Sequence, residues 1–292
     1  MTAIDIEYLQ QWVGRTHTRC DLICAAPVAA LSASLDLAAT RAVFGEPLPA
    51  CWHWLYFQDH VPTSLLTPDG HAPRGDFLPP VPLPRRMWAG SHLRFVAPLL
   101  VGDEAQRVST VQSVAHKQGR SGDLVFVTLR HQIFRGQILA IDEEQRLVYR
   151  DQRVGEDNPT SKTKPTSAPS SSVAQWRREL CPDTVLLFRY SALTFNSHRI
   201  HYDSDYAMRV EGYDGLVVQG PLTATLLLEL LHRELPSAHV AAFEFRALRP
   251  LLADAPLHLQ GRRDGQAIHL WALDANGNVA MEARASLSGH ER

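Results

Sequence analysis

The apolar positions of this chain fall into two successive sets of helical and strand-like runs, separated by a stretch with almost none. The second set is the clearer. Residues 240–248, 257–264, 267–274 and 279–286 read as four strands, and Asn276-Gly277 before the last is a hairpin signal. Ahead of them Leu222, Leu226, Leu227, Leu230 and Leu231 recur at helical spacing, and Leu228 fills another face. A helix over about 221–234 is therefore expected to be buried on most sides. Residues 185–190 (Val-Leu-Leu-Phe-Arg-Tyr) read as a short apolar strand, 206–210 as a helical turn, and 212–215 as a turn by its glycines. One buried helix against an antiparallel sheet is an α+β layer arrangement.

The first half repeats this plan more faintly. Residues 4–13 and 28–39 read as helices, followed by a proline-rich loop over 62–84. Strands are expected at 91–96, 104–114 and 123–134, with a shorter one at 138–142 or 147–150, and a turn at 119–122. Helix followed by meander in both halves suggests a structural duplication. Between them, 151–174 is rich in Ser, Thr, Pro and Lys and nearly devoid of large apolar side chains. Such a segment buries too little surface to repay its ordering and reads as a flexible linker. The expected organisation is 1–150, linker 151–174, and 175–292.

Composition narrows the function classes. With 292 residues the chain suits two domains of ordinary size, and 45% hydrophobic with 21% charged residues is soluble globular composition. A formal charge of −2 gives no global field for nucleic acid or an anionic membrane, so neither is an expected partner. No apolar run reaches the ~20 residues of a membrane span. The four cysteines, Cys20, Cys24, Cys51 and Cys181, lack paired metal-type spacing and read as free thiols in a reducing compartment. The start carries neither a basic n-region nor an arginine-rich transit pattern, so a cytoplasmic protein is expected.

The candidate chemistry lies in 190–203 and 217–222. Asn196 and His201 stand five residues apart on an irregular segment, and Gly220-Pro221 opens the leucine-rich helix. Pro in a first turn is ordinary helix-start chemistry, yet the same start leaves free amides at a positive dipole end. A water-holding pair beside an amide that can polarise a carbonyl suits addition of water to a conjugated thioester. His198 and His201 form His-x-x-His with Asp203 nearby, but no second cluster follows at zinc-like spacing, so no metal is expected. Ser191 and Thr223 lack a nucleophile elbow. Arg189, Arg199, Arg246 and Arg249 flank the segment, and any of them could pair with a substrate carboxylate. Lys117 and Arg120 make a basic turn that reads first as a plain hairpin and alternatively as a contact for phosphates, and Trp52, Trp54 and Trp88 suit a core or a cavity wall.

The stretches FRYSALTFNSHRIHYD, GYDGLVVQGPL, LPRRMWAG and KQGRSGDLVFV resemble the MaoC-like hydratase/dehydratase family. More narrowly, the chain resembles the branch of mesaconyl-CoA and itaconyl-CoA hydratases and mitochondrial hydroxyacyl-thioester dehydratase type 2. The resemblance implies a double hot dog, each half an antiparallel sheet wrapped round a helix, with the catalytic pair kept only in the second half. It implies that Gly220 meets the thioester carbonyl and that Gln219 stands where a His is common. Asn196 replaces the family's Asp. An amide cannot accept a proton at neutral pH, which leaves His201 as the acid/base and Asn196 as the water holder. The expected reaction is hydration of a short branched dicarboxylic enoyl-CoA to citramalyl-CoA. The alternatives are a 3-hydroxyacyl-thioester dehydratase of fatty-acid metabolism, a thioesterase, and a non-catalytic acyl-CoA-binding protein. No cofactor is implied beyond the coenzyme A carried by the substrate, and a homodimer is compatible with this reading.

Overall fold

The computed structural model describes residues 4–37, 42–119, 122–151 and 174–288. The expected linker therefore lies almost wholly outside the described residues, as do Arg120 and the tip of the 119–122 turn. The first half contributes α1 (Ile6–Gln10), β1 (Thr16–Leu22), α2 (Ala25–Ser34), β2 (Arg85–Phe95), β3 (Glu104–Gly119), β4 (Gly122–Arg135) and β5 (Ile138–Arg150). The second contributes β6 (Trp176–Leu180), α3 (Thr184–Leu193), α4 (Gly220–Glu234), β7 (Val240–Ala247), β8 (Leu257–Asp264), β9 (Ala267–Leu273) and β10 (Val279–Leu287). All described strand pairs are antiparallel and form one ten-stranded sheet, ordered β1-β3-β4-β5-β2-β7-β10-β9-β8-β6. This is the double hot-dog layout, five strands from each half joined edge to edge.

The joint is made by β2 and β7, with Gly90 opposite Arg246. A Cβ on Gly90 would lie 2.2 Å from the Phe245 carbonyl oxygen, so only glycine allows the two sheets to close at this seam. That is the physical role of the last residue of LPRRMWAG. α4 packs on β6, β8, β9 and β10, and its leucines at 222, 226, 227, 228, 230 and 231 are all buried. The main core runs through both halves, from Val28 and Leu31 of α2 to Leu187 of α3 and the leucines of α4. A smaller core under α1 joins Leu9 and Trp12 to Val111, Val125, Val127 and Tyr149.

One expected element changes type. Residues 185–190 are the body of helix α3, not a strand: Asp183 accepts a hydrogen bond from the Leu186 amide (2.8 Å), a capping interaction that starts a helix despite the β-prone Val-Leu-Leu-Phe run. Two strands absent from the sequence reading, β1 and β6, are the outer edges of the sheet. The shorter strand expected at 138–142 or 147–150 is one continuous strand, β5. The helix expected over 28–39 is α2, which begins earlier, and 38–41 lie outside the described residues. No described helix is long and apolar enough to cross a membrane, and all four cysteines are free.

Candidate active site

The segment that carries Asn196 and His201 begins where α3 stops. Thr194 caps the helix, Phe195 adopts a left-handed φ of 49°, and the Asn196 amide returns to the Ser191 carbonyl at 2.8 Å. This is a Schellman termination without glycine, and it reverses the chain so that Asn196 faces away from the helix it follows. The Asn196 Oδ1 accepts from the His198 amide (3.1 Å), leaving its Nδ2 donor available to a water or a substrate.

His201 closes a short 3₁₀ turn, Arg199–His201, and is buried. Its Nδ1 lies 2.7 Å from the Val217 carbonyl oxygen, so that nitrogen carries the proton and donates. Nε2 then bears the lone pair. Burial, opposed in part by the Val217 bond, pushes the His201 pKa down to about 4, so the imidazole is neutral and able to accept a proton at neutral pH. The Val217 that fixes the tautomer stands three residues before Gly220, so one strand-like segment positions both His201 and the helix N-terminus. Thr223 closes the first turn of α4 on the Gln219 carbonyl (3.1 Å), and the Gly220 amide is among the first-turn donors with no intrahelical acceptor. A Cβ on Gly220 would meet only the Trp88 carbonyl oxygen, at 4.0 Å, and Gly220 lines the cavity between the halves.

The proline-rich loop of the first half clamps onto this segment. Arg199 donates its amide to the Asp69 carbonyl (3.0 Å) and its guanidinium to Pro68 (3.0 Å), while Ser197 Oγ donates to the Gly70 carbonyl (2.6 Å). Gly70 has φ +89°, and a Cβ there would fall 1.8 Å from the Ser197 carbonyl oxygen. The docking delivers His71, whose ring centroid is 4.1 Å from that of His198, itself 5.4 Å from His201. His71 Nδ1 is 2.8 Å from Asp69 Oδ2. Burial and the Arg86 charge push His71 down to about 4, and burial with the neighbouring imidazoles takes His198 to about 2, so both are neutral. Burial works against the Asp69 charge, yet the His71 bond holds its carboxyl well below the usual range. The donor atoms of Asp69, His71 and His198 lie within 4.8 Å of one another, but both carboxylate oxygens are already taken, by His71 and Thr67.

Asn196, His198, His201, Gln219, Gly220, His71, Arg86 and Arg249 all line one cavity of about 1120 Å³ that runs between the halves. The other expected arginines lie elsewhere. Arg189 is exposed on α3, Arg246 is 69% exposed beside Glu282, and Arg199 is bound to Asp203 (2.7 Å). They point away because the helix face, the sheet face and the turn that carry them look outward. Gln219 is buried, its Nε2 donating to the Leu187 carbonyl and Ser191 Oγ (both 2.9 Å), so it ties α4 to α3, while its Oε1 has no partner. Lys117 sits over the Phe126 ring (5.2 Å).

The family model for hydroxyacyl-thioester dehydratase type 2 matches residues 51–253. The chain is 45% identical over 278 residues to mesaconyl-C(4)-CoA hydratase of Chloroflexus aurantiacus, covering 95% of this chain and 97% of the relative. The mitochondrial hydroxyacyl-thioester dehydratase type 2 of Schizosaccharomyces pombe is 30% identical over 233 residues, covering 71% and 75% of the two chains. A Mycobacterium tuberculosis protein described as having a double hotdog fold superposes with a TM-score of 0.58 at 14% identity, over 94% of this chain and 96% of its own.

This chain belongs to the hydroxyacyl-thioester dehydratase type 2 family. It is an enzyme of the enoyl-CoA hydratase and hydroxyacyl-CoA dehydratase class, working on a coenzyme A thioester.

In this family member the first half also furnishes the cavity wall. Trp54 and Trp88 meet edge to face at 5.1 Å and both contact Phe245 of β7. Behind them Trp88 Nε1 donates to Ser91 Oγ (2.9 Å), Ser91 to Glu143 Oε1 (2.7 Å), and Trp54 Nε1 to Glu143 Oε2 (3.1 Å). His53 Nε2 lies 3.1 Å from the same oxygen. Burial opposes ionisation of Glu143, but the bond and charge of His53 outweigh it and hold the pKa at about 2. Asp69, His71, Arg86 and Glu143 were not singled out by the sequence. The one signal for them is that Arg86 lies inside LPRRMWAG and Asp69-Gly70-His71 inside the proline-rich loop.

Proposed function

We propose that the enzyme hydrates a short branched dicarboxylic enoyl-CoA, mesaconyl-CoA or itaconyl-CoA, to citramalyl-CoA. The observation that carries this reading is the setting of the pair. Asn196 and His201 open into a cavity that four arginines line, Arg86, Arg107, Arg150 and Arg249. A neutral fatty-acyl chain has no use for such a wall, whereas a carboxylate entering a cleft needs a cation to offset its lost hydration. The 45% identity to a mesaconyl-C(4)-CoA hydratase supports the same substrate class.

In this mechanism Asn196 Nδ2 donates to a water whose proton faces His201 Nε2. The imidazole takes that proton as the water oxygen bonds to the β-carbon. In mesaconyl-C(4)-CoA the double bond is conjugated with the thioester, so its electrons move toward the thioester oxygen, where the Gly220 amide and the positive end of α4 hold the charge. Itaconyl-CoA, whose double bond is one carbon further out, must first be isomerised to the mesaconyl form. His201 then returns its proton to the α-carbon on the same face, a syn addition that consumes one water. In this reading the first half serves as wall and clamp, and the proton transfer falls to the second half. Coenzyme A enters only as part of the substrate, and the proposed setting is a homodimer in the cytoplasm.

Substrate competition tests the assignment. Purified enzyme given equal mesaconyl-C(4)-CoA, crotonyl-CoA and a long-chain 2-enoyl-CoA is expected to favour the dicarboxylic thioester by about 10²-fold or more in kcat/KM, as expected where a buried charge must be matched. A preference for the long-chain substrate would transfer the assignment to fatty-acyl dehydration. Binding of all three without turnover would make the protein a carrier.

A further inference from the structure

We propose that Arg86 is the anchor for the free carboxylate of the acyl group, a β-carboxylate subsite beside the catalytic pair; this rests on the dicarboxylic reading above. The argument begins with the substrate's connectivity. When the acyl group carries its second carboxylate on the β-carbon, as a mesaconyl group joined to coenzyme A through C4 does, that carboxylate is one bond from the atom that water attacks. Whatever holds it must stand beside Asn196 and His201, not at a remote end of the cavity.

The cations of the cavity wall differ in what they already hold. Arg107 donates to the Phe57 carbonyl (3.0 Å), lies over the Phe57 ring (5.5 Å) and is balanced by the charges of Asp59 and Glu143. Arg150 and Arg249 have interactions of their own. Close to the cavity, Arg85 is paired with Glu211 (2.8 Å), Arg74 with the carbonyls of Val81 (2.7 Å) and Pro84 (2.8 Å), and Arg199 with Asp203. Among the described residues the Arg86 guanidinium has no hydrogen-bond or ion-pair partner, although it lines the cavity and is half-buried.

Its position is the one the chemistry requires. The Arg86 charge is felt by both His71 and His198, and His198 packs against His201. Along β2, Arg86 shares a strand face with Trp88, whose carbonyl oxygen would lie 4.0 Å from a Cβ on Gly220. Around Arg86 stand the neutral His71 and His198, a second cation, Arg74, and one carboxylate, Asp69, whose oxygens are hydrogen-bonded to His71 and Thr67 and not to the Arg86 guanidinium. A guanidinium with both edges available suits a carboxylate, which it can meet through two parallel N–H bonds.

The test compares wild type with Arg86→Met, Arg86→Gln and Arg86→Lys on mesaconyl-C(4)-CoA and crotonyl-CoA. Crotonyl-CoA lacks the carboxylate and so reports folding and chemistry alone. The expected result is a fall of about 30- to 5000-fold in kcat/KM on mesaconyl-C(4)-CoA for Met and Gln, the range for stripping one partner from a buried charge pair. Crotonyl-CoA turnover should stay within about threefold, and Lys should recover part of the loss because it restores charge without the planar fork. An equal fall on both substrates, or an unchanged ratio, overturns the subsite. A wild type that prefers mesaconyl-C(4)-CoA while the Arg86 variants keep that preference sinks the subsite and leaves the substrate reading standing. A wild type active on crotonyl-CoA alone sinks the substrate reading and the subsite with it.

Discussion

His201→Ala is expected to lower kcat on a 2-enoyl-CoA by about 10²–10⁴-fold, the range for loss of a general acid–base group. The size follows from Asn196. Because an amide cannot take the proton, no partner in the motif can share the work, and the whole proton transfer falls on one imidazole. His201→Asn, whose Nδ2 stands where the imidazole Nδ1 does and can still donate to the Val217 carbonyl, should be equally inactive but closer to wild-type stability. The pH profile carries the same signature. His201 acts as base only when neutral, and its pKa is about 4. The acid limb of kcat/KM should therefore lie well below the ~6.5 of an ordinary histidine, with activity lost as pH falls through that lower value. Near wild-type turnover by the pure, folded alanine variant, or an acid limb near 6.5, would remove His201 from the role.

Gly70→Ala should cost about 10²-fold in kcat although the residue is far in sequence from Asn196 and His201. The new methyl meets a backbone oxygen at 1.8 Å, in a conformation (φ +89°) that L side chains rarely adopt. The loop must then lift off Ser197, taking Asp69 and His71 with it and loosening the turn that carries Asn196 and His201. Displacements near 1 Å in a catalytic constellation have costs of this order. Gly14→Ala is the control, since Gly14 also has positive φ (+86°) but open space around it. It should lose a little stability and no activity. If circular dichroism finds Gly70→Ala folded and its turnover is unchanged, the docked loop has no part in catalysis.

These two predictions differ in how far the sequence could lead to them. Asn196, His201, Gln219 and Gly220 lie within 25 residues, on one turn and one helix start, so their proximity was legible from spacing and resemblance. Gly70, His71 and Arg86 come from a loop and a strand more than a hundred residues earlier. The edge-to-edge pairing of β2 with β7 and the docking of the loop on Ser197 and Arg199 bring them to the site, and nothing local in the sequence encodes those contacts. The strand order has the same cause. Runs with strong alternation (β7–β10) were readable, whereas β1, Thr-His-Thr-Arg-Cys-Asp-Leu, and β6, Trp-Arg-Arg-Glu-Leu, are polar because they border the sheet and face water along one side. In α3, apolar β-prone residues point to a strand, but Asp183 at one end and the left-handed Phe195 at the other fix a helix. Helix ends decided there, against local propensity.

The central claim is that this enzyme adds water to the β-carbon through His201. The most direct measurement is the fate of the oxygen: wild-type enzyme and His201→Ala incubated with an enoyl-CoA in ¹⁸O-labelled water, with the products resolved by mass spectrometry. The account predicts a hydroxyacyl-CoA from the wild type with the label on its β-hydroxyl, the thioester intact, and almost no such product from the variant. Label in a released carboxylate with free thiol would make the protein a thioesterase, and labelled hydroxyacyl-CoA formed equally well by His201→Ala would contradict the assignment of the base.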